Sequence, residues 1–425
     1  MKALMFGWEF PPYISGGLGT ASYGLTKGLA KAGVEILFVM PKASGEEDSS
    51  IGKIINASDV VSKTETFLEE YWTNVNFLSV SSGLIPYIGF ENYEQLREDS
   101  LSNKSTVSHL GGKYSFSGKY GKNLMEEVAR YAMVAATIAQ EQEFDIIHAH
   151  DWLTYLAGIV AKKISGKPLV IHVHATEFDR SGENVNKAVY DLEKLGMDEA
   201  DAVMAVSNLT RNIVITRYGI DESKVFTVHN AVDFSQHETT AAKRSIDEKI
   251  VTFLGRITFQ KGPEYFIEAA NKVSKRLDNV RFVMAGSGDM MNRMVKRVAK
   301  LNLGSKFHFT GFLEGNDVNK MYSYSDVYVM PSVSEPFGIS PLEAMRSGVP
   351  VIISKQSGVS EVLKHALKIN FWDVDALADS IYALLTYKGL NKMIKKCGYD
   401  EINTFNWDDT AKIVKKIYQK TAQNS

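Results

Sequence analysis

Apolar and polar positions along this chain alternate in blocks rather than residue by residue. Short, near-continuous apolar runs fall at 3–6, 34–40, 144–148, 168–173, 202–206 and 225–228, and again at 250–254, 280–285, 306–309, 326–330, 350–353 and 366–369. Runs of this kind, rich in Val, Ile, Phe and Met, suit strands buried on both faces, and the stretches between them supply crossover helices. The pattern predicts an α/β protein with two parallel sheets, each large enough for its own core. Between the two sets of runs, Phe234 to Lys249 is polar and without periodicity, which marks an interdomain linker. Residues 43–123 break the alternation: a Gly/Glu/Asp/Ser turn at 45–50, a strand near 75–80, and a polar stretch from Glu91 to Asn123 carrying Tyr93, Tyr114, Phe116 and Tyr120. Such a segment is either a binding loop or an insertion packing its aromatics on its own surface.

Composition narrows the class. A chain of 425 residues exceeds one ordinary core, and 44% hydrophobic with 23% charged residues is a globular composition. Lys+Arg at 48 against Asp+Glu at 50 leaves a net charge of −2, which offers nucleic acid no global attraction. The lone cysteine, Cys397, excludes an internal disulfide. No signal-like apolar region opens the sequence and no run of eighteen apolar residues occurs, so a cytoplasmic protein without a transmembrane segment is expected. The lysines at 392, 395, 396, 412, 415, 416 and 420 fit a solvated helix face better than a lipid-binding one.

Candidate chemistry concentrates in Ser334-Glu335-Pro336-Phe337-Gly338-Ile339-Ser340-Pro341-Leu342-Glu343. Ser340, Pro341 and Glu343 fit N-cap, N1 and N3 of a helix, a capping box with proline where it is favoured. Gly338 and Ile339 then lie at a helix N-terminus, where backbone N–H groups favour a phosphate. Glu335 and Glu343 flank that anion pocket, and carboxylates beside a phosphate make sense if they bond sugar hydroxyls. Together these describe a nucleotide sugar. Capping alone also explains Glu343; Glu335 has no such duty.

Other motifs are weaker. Gly16-Gly17-Leu18-Gly19 after the first strand suits a tight turn and close approach to a ligand, but Ser22 stands where a dinucleotide fingerprint needs its third small residue. Arg256 and Lys261, in Gly255-Arg256-Ile257-Thr258-Phe259-Gln260-Lys261-Gly262, follow a strand at the sheet edge where α/β ligands bind, and suit a diphosphate or else a solvated loop. Gly286-Ser287-Gly288 needs no more than a tight turn. His148, His150, His172 and His174 end two strands; period-2 alternation is expected to divide each pair between faces, leaving at least one of each packed in the core. With no helical His-Glu-x-x-His, no metal site is expected. Ser207 starts no nucleophile elbow, and Asp373-Val374-Asp375 reads as helix capping.

In this order these motifs resemble the retaining GT-B glycosyltransferases, over nearly the whole chain. The Glu335-x7-Glu343 block with Pro-Leu-Glu-Ala-Met resembles bacterial family-4 enzymes. The Gly-Gly-Leu-Gly loop, His-Ala-His-Asp-Trp at 148–152 and the segment from His174 to Arg180 resemble glycogen and starch synthases. The resemblance implies two Rossmann-like doubly wound domains with an interdomain cleft: an acceptor-side domain at 1–238, a nucleotide-sugar domain at 239–400, and a final helix at 401–425 crossing back to the first. It implies that Arg256 and Lys261 hold the donor diphosphate with backbone at Gly338, Ile339 and Ser340, that Glu343 bonds the ribose, and that Glu335 serves the transferred sugar. The glycine loop at Gly16, Gly17 and Gly19 would approach the donor, and His174 the hexose near its 6-hydroxyl. Asp151 and Trp152 would border the acceptor cleft. Neither metal nor other cofactor is implied, the nucleotide sugar being a co-substrate, and transfer is expected on the front face without a covalent intermediate. One departure stands out: bacterial glycogen synthases carry lysine before the paired glycines, where this chain has Ser15. That leaves the donor open between UDP-glucose, ADP-glucose and others.

The expected function is therefore transfer of glucose from a nucleotide donor to an α-1,4-glucan. The alternatives are a related transferase acting on a surface polysaccharide, glycolipid or small metabolite, a catalytically inactive carbohydrate-binding protein, and a nucleotide-sugar epimerase on the same fold. Intact Glu335, Arg256, Lys261 and His174 argue against an inactive protein.

Overall fold

The computed structural model describes residues 1–12, 17–62, 112–118, 120–121, 123–232 and 247–423. The chain divides into two compact units, Met1–Ala231 with Trp407–Ser425, and Val232–Asn406. Most of the linker segment, the expected strand near 75–80, Tyr93, Ser15 and Gly16 lie outside the described residues.

In chain order the first unit contains β1 (Lys2–Phe6), α1 (Gly17–Lys31), β2 (Glu35–Met40), β3 (Lys53–Asn56), β4 (Val61–Ser62), β5 (Gly112–Lys113), α2 (Leu124–Glu141), β6 (Ile146–His150), α3 (Trp152–Ser165), β7 (Leu169–Val173), α4 (Glu177–Ser181), α5 (Lys187–Glu199), β8 (Ala202–Ala205), α6 (Asn208–Tyr218) and β9 (Val225–Thr227). The second contains β10 (Lys249–Leu254), α7 (Pro263–Ser274), β11 (Val280–Ala285), α8 (Met291–Lys300), β12 (Phe307–Gly311), α9 (Asn316–Tyr324), β13 (Val327–Met330), α10 (Ser340–Arg346), β14 (Val351–Ser354), α11 (Val359–Val362), β15 (Leu367–Ile369), α12 (Val374–Thr386) and α13 (Lys388–Ile402). The last helix, α14 (Trp407–Gln423), belongs to the first unit.

The two large sheets are parallel throughout, and β4 and β5 form a small antiparallel pair. The seven strands of the first run β3-β2-β1-β6-β7-β8-β9, and the six of the second β12-β11-β10-β13-β14-β15. Helices cover both faces, which is why the strands read as apolar runs. The run pattern located twelve of these strands to within a few residues; β3, a half-buried edge strand reading Lys-Ile-Ile-Asn, gave too little signal. Within the insertion, Phe116 is buried against Tyr131 of α2, with ring centroids 6.2 Å apart. Among the described residues no helix is long and apolar enough to cross a membrane.

Order reversal fixes where ligands can meet each sheet. The chain leaves β1 and β6 in opposite directions in the first unit, and β10 and β13 in the second, so a crevice opens at their carboxyl ends. His150 and Asp151 stand at the first such point, and Gly255–Lys261 with Ser332–Glu335 at the second.

Helix α14 is seated on α1 through two glycines. A Cβ at Gly24 would lie 2.2 Å from the Trp407 indole nitrogen, and one at Gly28 would lie 2.6 Å from the Trp407 carbonyl oxygen. Backbone cannot yield as a side-chain tip can, so Gly28→Ala is expected to destabilise the protein by about 1–3 kcal/mol. Gly17→Ala, at a position open to space, is expected to change little. Urea denaturation checks both; equal midpoints for Gly28→Ala and wild type would contradict the close seating.

Candidate active site

In the second unit, glycines let three loops touch through backbone. Ile257 is buried, its N–H donates to Ser287 O at 2.8 Å, and its carbonyl accepts from Met290 N at 3.0 Å. A Cβ at Gly286 would lie 1.9 Å from Gly255 O, and one at Gly288 2.3 Å from Ile257 O. Gly286-Ser287-Gly288 thus does more than turn the chain: it admits the neighbouring loop. On the other side Val333 N donates to Gln260 O at 2.9 Å, and a Cβ at Gly262, with φ +63°, would lie 2.2 Å from Pro331 O.

This crossing brings Lys261 to Glu335. Their side chains form a mostly buried ion pair, and Ser332 Oγ donates to Glu335 Oε2 at 3.3 Å. Backbone holds Glu335 as well: its N–H donates to Gln356 O at 3.0 Å and its carbonyl accepts from Gly358 N at 2.9 Å. Gly338, with φ +102°, turns the chain where a Cβ would lie 3.1 Å from Glu335 Cγ. Arg256 is exposed on the same loop as Lys261. It opposes the burial that raises the pKa of Asp289.

The expected capping box does not form. Helix α10 begins at Ser340, Ile339 takes the cap position without a side-chain bond, and Glu343 N donates to Ile339 O at 3.1 Å. With Ser340 inside the helix, its side chain cannot cap, and the Glu343 carboxylate turns to another partner. Tyr322 of α9 supplies it, with its hydroxyl 3.3 Å from Glu343 Oε2 and 3.2 Å from Ser340 O. Burial raises the pKa of Glu343, and Arg346 and the Tyr322 hydroxyl oppose that rise.

In the first unit, the four histidines converge instead of dividing. Residues i and i+2 of a strand share a face, and His150 pairs in register with His172, so the expectation of opposite faces is corrected. His148 and His150 stack with centroids 4.0 Å apart, and His172 and His174 lie 4.3 Å apart. Tyr418 of α14 meets His148 Nδ1 at 2.6 Å, and His150 Nδ1 meets His174 Nε2 at 3.0 Å. Desolvation lowers all four, His174 to about 3, so the stack is neutral at neutral pH. Only His174 of the four is half-exposed. Ring nitrogens of His148, His150 and His172 lie within 4.8 Å of one another; two of the nitrogens, Nδ1 of His148 and Nδ1 of His150, are already bonded to Tyr418 and His174.

Asp151 and Trp152 face inward. The Trp152 indole is wholly within the core, so it is not a wall that an acceptor could touch. Asp151 adopts φ +63° and ψ 164°, a strained conformation for a non-glycine residue. Its N–H donates to His172 O at 2.9 Å and its carboxylate meets Arg180 at 3.3 Å. Arg180 also pairs with Glu193 at 2.7 Å and donates to Ala175 O at 3.3 Å, tying the loop after β6 to the loop after β7 that carries His174. Gly17 opens α1 with open space where a Cβ would be, and Gly19 is buried in that helix.

Comparison with known proteins agrees with this division. Residues 2–228 match the starch synthase catalytic domain, and residues 236–401 match the glycosyl transferases group 1. The chain belongs to the starch synthase catalytic domain family and is a glycosyltransferase. An uncharacterized glycosyltransferase of Methanocaldococcus jannaschii is 29% identical, over 99% of this chain and 98% of that protein. A glycogen synthase of Mycobacterium tuberculosis is 21% identical, over 98% and 94%. The solved sucrose-phosphate synthase of Thermosynechococcus elongatus superimposes with a TM-score of 0.74 at 19% identity, covering 100% of both chains, which shows the GT-B fold. In this glycosyltransferase the starch-synthase match covers the unit with the histidine stack, and the group 1 match covers the unit with the Lys261–Glu335 pair.

Buried charge in the glycosyltransferase's first unit gives stability a pH dependence. Burial raises Glu193 from 4.5 to about 7, against the pull of Arg180, the Tyr218 hydroxyl and the Glu177 N–H. The folded state therefore holds a proton that the unfolded chain has released between those values, and the contribution of Glu193 to stability falls as pH rises through that window. At 1.36 kcal/mol per unit the loss is about 3 kcal/mol. The four histidines contribute the opposite slope below about pH 6.5, equally in wild type and variant, so the test is the difference between them. Denaturant unfolding from about pH 5 to 8 should show the stability of wild type minus that of Glu193→Gln falling as pH rises; a difference that does not change with pH would contradict it.

Proposed function

We propose that this glycosyltransferase moves glucose from a nucleoside-diphosphate donor to the non-reducing end of an α-1,4-glucan, with retention of configuration. The observation that carries the donor half is the Lys261–Glu335 ion pair at the second unit's order-reversal point, with Arg256 on the same loop. An arriving diphosphate competes for Lys261 and frees Glu335 for the hydroxyls of the hexose. As the bond from C1 to the phosphate oxygen breaks, negative charge grows on the diphosphate and positive charge on the sugar. Arg256 and Lys261 stabilise the first, and the Glu335 carboxylate stabilises the second. The acceptor hydroxyl oxygen forms the new bond to C1 on the face the phosphate leaves, and its proton passes to the departing phosphate oxygen. Glu343 accepts from the ribose hydroxyls, with backbone at Gly338 to Ser340 beside the phosphates. For the first unit, half-exposed neutral His174 offers a hydrogen bond to a sugar hydroxyl without adding charge. The glucan acceptor is supported by the starch-synthase match and by the full-length similarity to a glycogen synthase.

A donor-by-acceptor matrix tests this reading: UDP-glucose, ADP-glucose and GDP-mannose, each with and without glycogen, monitoring nucleotide release and polymer growth. Growth with a glucose donor, and an α-linked product, is expected; no growth with any donor would overturn the glucan assignment. Arg256→Ala and Lys261→Ala should each lower turnover about a hundredfold at saturating donor. Turnover near wild type in both would refute the diphosphate role. Glu335→Gln should depress turnover more than donor affinity, and wild-type turnover would remove its assigned role.

A further inference from the structure

Glu343 lies on α10 but takes no part in capping it, so the helix alone does not fix the aim of its carboxylate. The geometry points to Tyr322 as the positioning residue that aims the Glu343 carboxylate at the nucleotide ribose. This inference rests on the donor site proposed above.

Tyr322 comes from α9, is fully buried, and reaches two atoms of α10, the Ser340 carbonyl and Glu343 Oε2, at 3.2 and 3.3 Å. Both are acceptors, so the single phenol proton is shared between the Ser340 carbonyl and the Glu343 carboxylate. A carboxylate draws the shorter, stronger bond when it is charged, and a buried donor holds it in that form. Engaging one carboxylate oxygen leaves the second for the ligand, and adjacent ribose hydroxyls are donors that such an oxygen accepts. Tyr322 is itself held by Tyr328 of β13, edge to face with centroids 5.8 Å apart, and Tyr328 donates to Leu254 O at 3.3 Å. Leu254 ends β10, so the chain of contacts runs from the central strand of the sheet to Glu343.

The same contact sets the acid limit of binding. Three ionisable groups face the carboxylate: Arg346 on its own helix, Tyr322 from α9 and Tyr328 from β13. Burial raises Glu343, while Arg346 and Tyr322 oppose it. Removing the hydroxyl removes one of these two opposing groups, so Glu343 protonates at higher pH and binding is lost sooner on acidification.

The test is calorimetric binding of UDP and ADP, and of their 2′,3′-dideoxy forms, to full-length wild type, Tyr322→Phe and Tyr387→Phe. Tyr387 is 62% exposed and controls for the chemical change. Tyr322→Phe should bind the ribonucleotide about five- to tenfold more weakly. Its affinity for the dideoxy form should hardly change, and the acid fall-off in ribonucleotide binding should move to higher pH. Tyr387→Phe should match wild type. Equal losses for both nucleotide forms would reduce Tyr322 to a structural residue, and no loss would remove it; either overturns the inference while the donor site stands. Wild type binding neither nucleotide would overturn the donor site, and the inference with it.

Discussion

Strand order in the second sheet is the constraint on which the proposed donor site depends. Because β10 and β13 are neighbours whose connections leave in opposite directions, their carboxyl-terminal loops must run side by side. Side chains would hold such loops apart. Gly262 removes that obstacle against the loop after β13, and Gly286 and Gly288 remove it between the loops after β10 and β11, each at a place where a Cβ would lie within 2.3 Å of a carbonyl oxygen. Contact through backbone places Lys261 and Glu335 together with little freedom to drift. Charge that must be in position before a diphosphate leaves is most effective when it costs no reorganisation.

The first unit solves a different problem, that of holding polar groups in a dry interior. Four imidazoles are kept neutral by desolvation, which permits them to stack without repulsion. Beside them Arg180 meets Asp151, Glu177 and Glu193, three carboxylates around one guanidinium. Burial answers the excess by raising Asp151 and Glu193, so that the cluster is less charged than its composition suggests. Asp151 retains a strained backbone because the Arg180 pair and the His172 carbonyl hold it on both sides.

Much of the fold was legible because a buried parallel strand reads as an apolar run whatever lies around it. Edge strand β3, half exposed, lacked that run. Arg256, Lys261, Glu335 and Glu343 could be chosen from sequence because their types and loop positions already suggested anion and sugar chemistry. The capping box failed because local spacing cannot register Tyr322, whose hydroxyl comes from α9. The histidines were misplaced by applying alternation to residues two apart, which share a face. Arg180 and Tyr418 act through contacts that sequence spacing does not reveal: Arg180 joins two loops, and Tyr418 meets a histidine 270 residues away. The resemblance implied that Trp152 borders the acceptor cleft, yet its burial in α3 comes from packing that no motif encodes.

The central claim is that a nucleoside diphosphate binds at the Lys261–Glu335 crossing. A crystal structure of the full chain with bound UDP or ADP tests it most directly. The account predicts phosphate oxygens within hydrogen-bond distance of Lys261 and Arg256, and ribose hydroxyls on Glu343. A nucleotide seated elsewhere, with Lys261 still paired only to Glu335, would contradict it.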